Sequence, residues 1–136
     1  MATRVFKLGA AATDTPGDLV AIISTPGASS KYMTAEAPLG TDYSVPASKT
    51  LYITRIGILV DGAGNAAYFG YGDDGVASGA AAPTNWKQLS NKLSSDLAGR
   101  VVYHDVAFTV PTGKFPCFLS DASGNTVYCA AYGIVY

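Results

Sequence analysis

Four groups of residues in this 136-residue chain have types and spacings that chemistry could use. The sharpest is Tyr71-Gly72-Asp73-Asp74, "YGDD", because adjacent aspartates at the end of a strand are how polymerase palms hold two catalytic metal ions. Such palms need further carboxylates and several hundred residues of surrounding structure, and this chain has neither. The residues therefore read as turn carboxylates at a strand end. His104 is the only histidine, so a site of two or three histidines of cupin type cannot be built within one chain. In an alternating strand it and Asp105 fall on opposite faces, which breaks up any triad with a serine. Cys117 and Cys129 are the only cysteines, too few for a disulfide framework and not at metal-ligand spacing. The fourth group is nine tyrosines and one tryptophan, which could stack on sugar rings or serve as strand and interface residues.

No phosphate-binding glycine motif occurs, and the glycines of "GAGN" and "GYGDDG" read as turn residues chosen for positive φ. No residue is assigned a catalytic, cofactor-binding or metal-binding role, and no cofactor is expected. Charged residues are 14% of the chain against roughly 25% in an average domain, while hydrophobic residues are 49%. Nine Lys and Arg balance ten Asp and Glu with no basic cluster beyond a pair, which argues against nucleic acid as a partner. No apolar run approaches membrane-spanning or signal-peptide length, so no membrane partner is expected, and the chain is expected to stay a soluble protein or to leave by a route other than a signal peptide.

The elements that must position these residues are strands. "VPASK" (Val45 to Lys49) returns as "VPTGK" (Val110 to Lys114), and "DGAGNAAY" (Asp61 to Tyr68) as "DASGNTVY" (Asp121 to Tyr128). The repeating unit is thus V-P-x-[SG]-K, strand, D-x-x-G-N-x-x-Y, strand. Proline fixes φ where a chain enters a strand, and Ser or Gly two places later suits a tight turn, so the first phrase is a corner. Asp, Gly and Asn in the second phrase suit a hairpin loop.

"LVAIIS" (Leu19 to Ser24) and "RVFKL" (Arg4 to Leu8) read as strands in a loop-rich first 45 residues. In "TLYITRIGILV", simple alternation puts Leu51, Ile53 and Arg55 on one face and Tyr52, Thr54, Ile56, Ile58 and Val60 on the other. In "RVVYHDVAFTV" it groups Val102, His104, Val106, Phe108 and Val110. "TNWKQLSNKL" fits a helical period over only two turns and reads as strand or irregular structure. With "DASGN" as the last hairpin loop, counting outward sets Cys117 opposite Cys129, about 4.5–5.5 Å apart, as neighbours that stay unbonded in a reducing cytoplasm. The expected fold is a single all-β domain over residues 1–136, an antiparallel two-sheet β-sandwich of jelly-roll or Greek-key type.

Over roughly residues 45–118, in "VPASKTLYITRIGILVDG", "YFGYGDDG…APTNWKQL" and "FTVPTGKFPC", the chain resembles small virion proteins of tailed bacteriophages. These are the jelly-roll capsid decoration or cement proteins and the head-fibre modules. The resemblance implies a non-enzymatic homotrimer, made in the host cytoplasm and seated on the capsid surface against the major capsid protein. Residues 1–45 would then be a docking arm. A receptor- or glycan-binding module of a phage fibre or spike shares the expected sandwich and is the alternative; a cupin-like enzyme also shares it, but the single histidine argues against that.

Overall fold

The computed structural model describes residues 18–27, 30–60, 65–95, 100–121 and 127–136. These make nine strands: β1 (Asp18–Gly27), β2 (Tyr32–Thr34), β3 (Leu51–Val60), β4 (Asn65–Gly72), β5 (Lys87–Gln88), β6 (Leu93–Ser95), β7 (Val102–Val110), β8 (Phe115–Asp121) and β9 (Val127–Val135). One sheet has the order β1-β9-β3-β7. The other has the order β2-β8-β4-β5, with β6 pairing further along β4. All pairings are antiparallel.

With β5 and β6 taken as one interrupted strand, the partners are first with last, second with second-last, and so on inward. That is one long ribbon rolled up on itself, the jelly-roll topology. The "TNWKQLSNKL" segment accordingly supplies β5 and the first residue of β6, and no helix occurs among the described residues.

The repeated phrases build the middle of this roll. The first unit runs through β3 and β4, the second through β8 and β9, and each unit's first strand pairs with the other unit's second strand. A two-fold axis would give this same clasp. Both corners take the same turn: Lys49 N donates to Pro46 O at 3.1 Å and Lys114 N to Pro111 O at 3.3 Å. Ser48 and Gly113 hold φ of 61° and 75° at the third turn position, as a type II turn requires. The corners also grip one another, Val45 N donating to Lys114 O at 3.0 Å and Gly113 N to Val45 O at 2.8 Å.

Two expectations about hairpins are corrected. The strands flanking each D-x-x-G-N phrase do not pair, because β3 and β4, and likewise β8 and β9, lie in opposite sheets. The loops themselves, 61–64 and 122–126, lie outside the described residues. Cys117, opposite Gly70 and Thr34, and Cys129, opposite Ser24 and Ile58, are therefore not cross-strand neighbours.

The third correction concerns β3. Ladder register shifts between Ile53 and Arg55 on both sides of the strand: against β9, Thr54 is the extra residue of a β-bulge, and against β7 it faces two residues, Val106 and Ala107. The bulge resets the alternation, so Leu51, Ile53, Ile56 and Ile58 are all fully buried and Arg55 turns outward. In β7, by contrast, the expected alternation holds from Val102 to Val110.

The core between the sheets is aliphatic with an aromatic centre. Phe69 lies 5.1 Å from Phe118 within its own sheet and 5.8 Å from Phe108 across the sandwich. The expectation of an arm reaching residue 45 narrows, since β1 and β2 belong to the sheets and Ile22, Ala35 and Val45 are buried in the core. "RVFKL" and the rest of residues 1–17 lie outside the described residues.

Candidate functional site

The outer faces of the two sheets are treated unequally. Over the sheet containing β4 and β8 the segment from Asp73 to Ser90 folds back as a roof. Tyr32 N donates to Ala80 O at 3.1 Å, Thr34 N to Val76 O at 3.0 Å, and Val76 N to the Thr34 hydroxyl at 2.8 Å. At the far end of the segment, Phe69 N donates to the buried Ser90 hydroxyl at 2.8 Å. Trp86 is the centre of this cover. Its ring meets Tyr32 edge-on at 5.2 Å, and a Cβ at Gly70 would lie 2.6 Å from the indole and against the Lys87 carbonyl. Gly70 and Gly72 are thus strand residues that admit the roof, a correction to their reading as turn glycines of positive φ.

The "YGDD" aspartates anchor the same roof. Asp74 accepts from Thr84 N at 2.7 Å and from the Thr84 hydroxyl at 2.9 Å. Asp73 accepts from Lys114 Nζ at 2.6 Å and Asn85 Nδ2 at 2.7 Å, and these bonds hold its carboxyl below the usual carboxylate range. Lys114 belongs to "VPTGK", so the corner and the roof are tied together. His104 projects to the half-buried side of β7, where Nε2 lies 2.9 Å from Ser94 O.

The thiols are placed apart from solvent on different layers. Cys117 faces outward from β8 with Thr34, under the roof, and burial pushes its thiol up to about 12. Cys129 points into the core from β9, and burial pushes its thiol up as well. Both are free, and a buried, neutral thiol is a poor nucleophile.

The outer face of the β1-β9-β3-β7 sheet has no such cover among the described residues. Leu19 and Ile23 of β1, Tyr128 and Tyr132 of β9, Val101, and Tyr103 of β7 are exposed on it. The registers stack its rungs: Ala21, Tyr132, Arg55 and Asp105 form one, and Ile23, Ala130, Gly57 and Tyr103 the next.

Two hollows share Tyr103 and Tyr132. One, of about 230 Å³, is apolar, with Ile23, Leu59, Val101 and Tyr128 among its walls. The other, of about 570 Å³, is lined by Thr54, Arg55, Tyr103, Asp105 and Tyr132. Arg55 Nε lies 3.2 Å from Asp105 Oδ1, and the guanidinium carbon is 5.6 Å from the Tyr103 ring centre. Tyr103 lies down across Gly57, where a Cβ would be 3.1 Å from its ring.

Sequence reading singled out the tyrosines without choosing among them, and it missed Arg55 and Asp105. They stand 50 residues apart, and only the bulge brings Arg55 to the face that Asp105 occupies. The signal was present in the spacing of Leu51, Ile53, Ile56 and Ile58, which slips by one residue at Thr54 and Arg55. No protein-family model, curated protein or solved structure matches the chain, so its function is argued from this face and this topology.

Proposed function

We propose that the protein is a non-enzymatic virion structural protein that decorates and stabilises a capsid surface as a homotrimer, with the major capsid protein as its partner. The observation that carries this reading is the bare apolar end of one sheet, around Ile23, Leu59, Val101 and Tyr128, beside a second sheet that the chain roofs for itself. A contiguous exposed apolar patch on a folded domain marks a contact surface, and tyrosines with few charges are the usual composition of such contacts. The jelly-roll order supports the same reading by analogy, because capsid proteins are among its main users. Cupin chemistry finds no support, since the single histidine is bonded to a backbone carbonyl and half-buried in β7.

Light scattering across a dilution series tests assembly: the expected species has three times the 14.0 kDa of one chain. Val101→Glu, which places a charge in the apolar hollow, should dissociate it. Capsids assembled without this chain from the major capsid protein of the same virus should take up the purified protein on cosedimentation. A monomer at every concentration that also fails to cosediment overturns the reading.

A further inference from the structure

We propose that the cleft between Tyr103 and Tyr132 on the bare sheet face binds a neutral saccharide, with the Arg55–Asp105 pair reading its hydroxyl groups. This is a ligand function distinct from decoration, and it stands whether or not the chain belongs to a virion.

The volume of the cleft, about 570 Å³, falls within the roughly 300–1,000 Å³ of small-ligand sites. Its chemistry selects the ligand class. A guanidinium only donates hydrogen bonds and a carboxylate only accepts them. Side by side at 3.2 Å they carry no net charge, so the cleft gives neither an anion nor a cation an unpaired counter-charge. A group that both donates and accepts at adjacent positions, as vicinal hydroxyls do, matches both partners at once.

The flanking residues supply the complementary half. Tyr103 is 55% exposed and Tyr132 38% exposed, and aromatic rings bordering a polar pair suit an amphipathic ring with an apolar C–H face. Charged ligands and flat heteroaromatics lack one or the other feature.

Two independent devices build the sheet around this arrangement. A β-bulge at Thr54 turns Arg55 outward, and bulges recur where a strand must re-aim a side chain. Gly57 lets Tyr103 lie against the backbone beside the pair. The ion pair itself does little for the fold, because its side chains are 54% and 84% exposed and solvated pairs contribute little. The apolar hollow lies on the next rungs of the sheet and shares the rings of Tyr103 and Tyr132 with the cleft.

Saturation-transfer NMR on the full chain tests the assignment, with the methyl glycosides of glucose, galactose, mannose and N-acetylglucosamine as probes at tens of millimolar. At least one should receive magnetisation at its ring C–H protons. Tyr132→Ala and Arg55→Gln should each weaken that glycoside by about tenfold or more, the usual cost of losing a stacking ring or a charged hydrogen bond. Tyr132→Phe, which keeps the ring, should retain more binding than Tyr132→Ala, and Tyr128→Ala, which lies outside the cleft, should leave binding unchanged. These side chains are exposed, so circular dichroism should show the same fold throughout. The proposal is overturned if no glycoside responds, if the response survives both disabling substitutions, or if Tyr128→Ala removes it as fully as Tyr132→Ala.

Discussion

Removing a single residue, Thr54, should heal the bulge and leave the core of β3 in place. Leu51 and Ile53 precede the bulge and Ile56 and Ile58 follow it, so without Thr54 plain alternation keeps all four on the buried face and Arg55 outward. On the β9 side Gly133 and Tyr132, the partners of Ile53 and Arg55, are already consecutive, so that ladder becomes regular. The loss falls on the β7 side, where Val106 and Ala107 face Thr54 alone and would then face no residue. A backbone hydrogen bond or two lost there costs about 1–2 kcal/mol, against about 3–6 kcal/mol if two aliphatic side chains turned outward at roughly 1.5–3 kcal/mol each. The larger figure is a large share of the roughly 5–15 kcal/mol that holds a domain together. Thr54→Ala is the control. It keeps the bulge and loses one exposed hydrogen bond of 3.4 Å to Tyr132 O, so it should change stability by no more than about 0.5 kcal/mol. Urea denaturation followed by circular dichroism measures both variants. A Thr54 deletion that costs about 3 kcal/mol or more would refute the claim that Thr54 is the extra residue setting the phase of β3.

Four further outcomes are expected. Cys117 and Cys129 should resist a thiol-disulfide reagent in the native protein at pH 8 and both react after denaturation; rapid native labelling of either would contradict their burial. Because burial raises both thiols above their ordinary value of 9.0, the unfolded chain releases these protons first. Stability should then fall as pH rises past about 9, by up to about 1.4 kcal/mol per pH unit per thiol, and a Cys117→Ala/Cys129→Ala variant should flatten that slope. Gly70→Ala should lift Trp86 off the sheet, seen as a red shift of its fluorescence, with about 1–3 kcal/mol of destabilisation; unchanged emission would mean the roof does not rest there. At the corners, Gly113→Ala should cost about 1–2 kcal/mol for a Cβ at positive φ. Ser48→Gly at the equivalent site should be neutral or stabilising, as thermal melts would show.

Much of this architecture was legible in the residue order, and the failures have identifiable causes. The corners were readable because proline followed by Ser or Gly imposes local dihedral angles that do not depend on the rest of the fold. The alternation of β7 was readable because that strand is regular and half-buried. The D-x-x-G-N phrases misled because turn chemistry reports that the chain reverses and says nothing of whether the next strand joins the same sheet or crosses to the other. That choice is made by the core, where β3 and β4 bury Ile56 and Phe69 from opposite sides. The roof was hidden for a similar reason. Gly70 and Gly72 carry no periodic signal, and their role appears only once Trp86 is set above the strand. Arg55 and Asp105 fell to the same limit, since each is an unremarkable surface charge until the register is known.

The rolled ribbon also governs when the molecule can fold. Asp18 pairs with Val135, so β1 finds its partner 117 residues further on (135 − 18), and β3 must likewise wait for β9. No early segment can close a sheet by itself, because β9 separates β1 from β3 and β8 separates β2 from β4. On a ribosome the strands that emerge first therefore carry Ile22, Leu51, Ile53 and Phe69 without a shelter until the second repeat unit arrives between them. Non-local pairing of this kind places folding at about milliseconds to seconds rather than microseconds. The second copy of the V-P-x-[SG]-K unit is the piece whose synthesis ends that exposed interval.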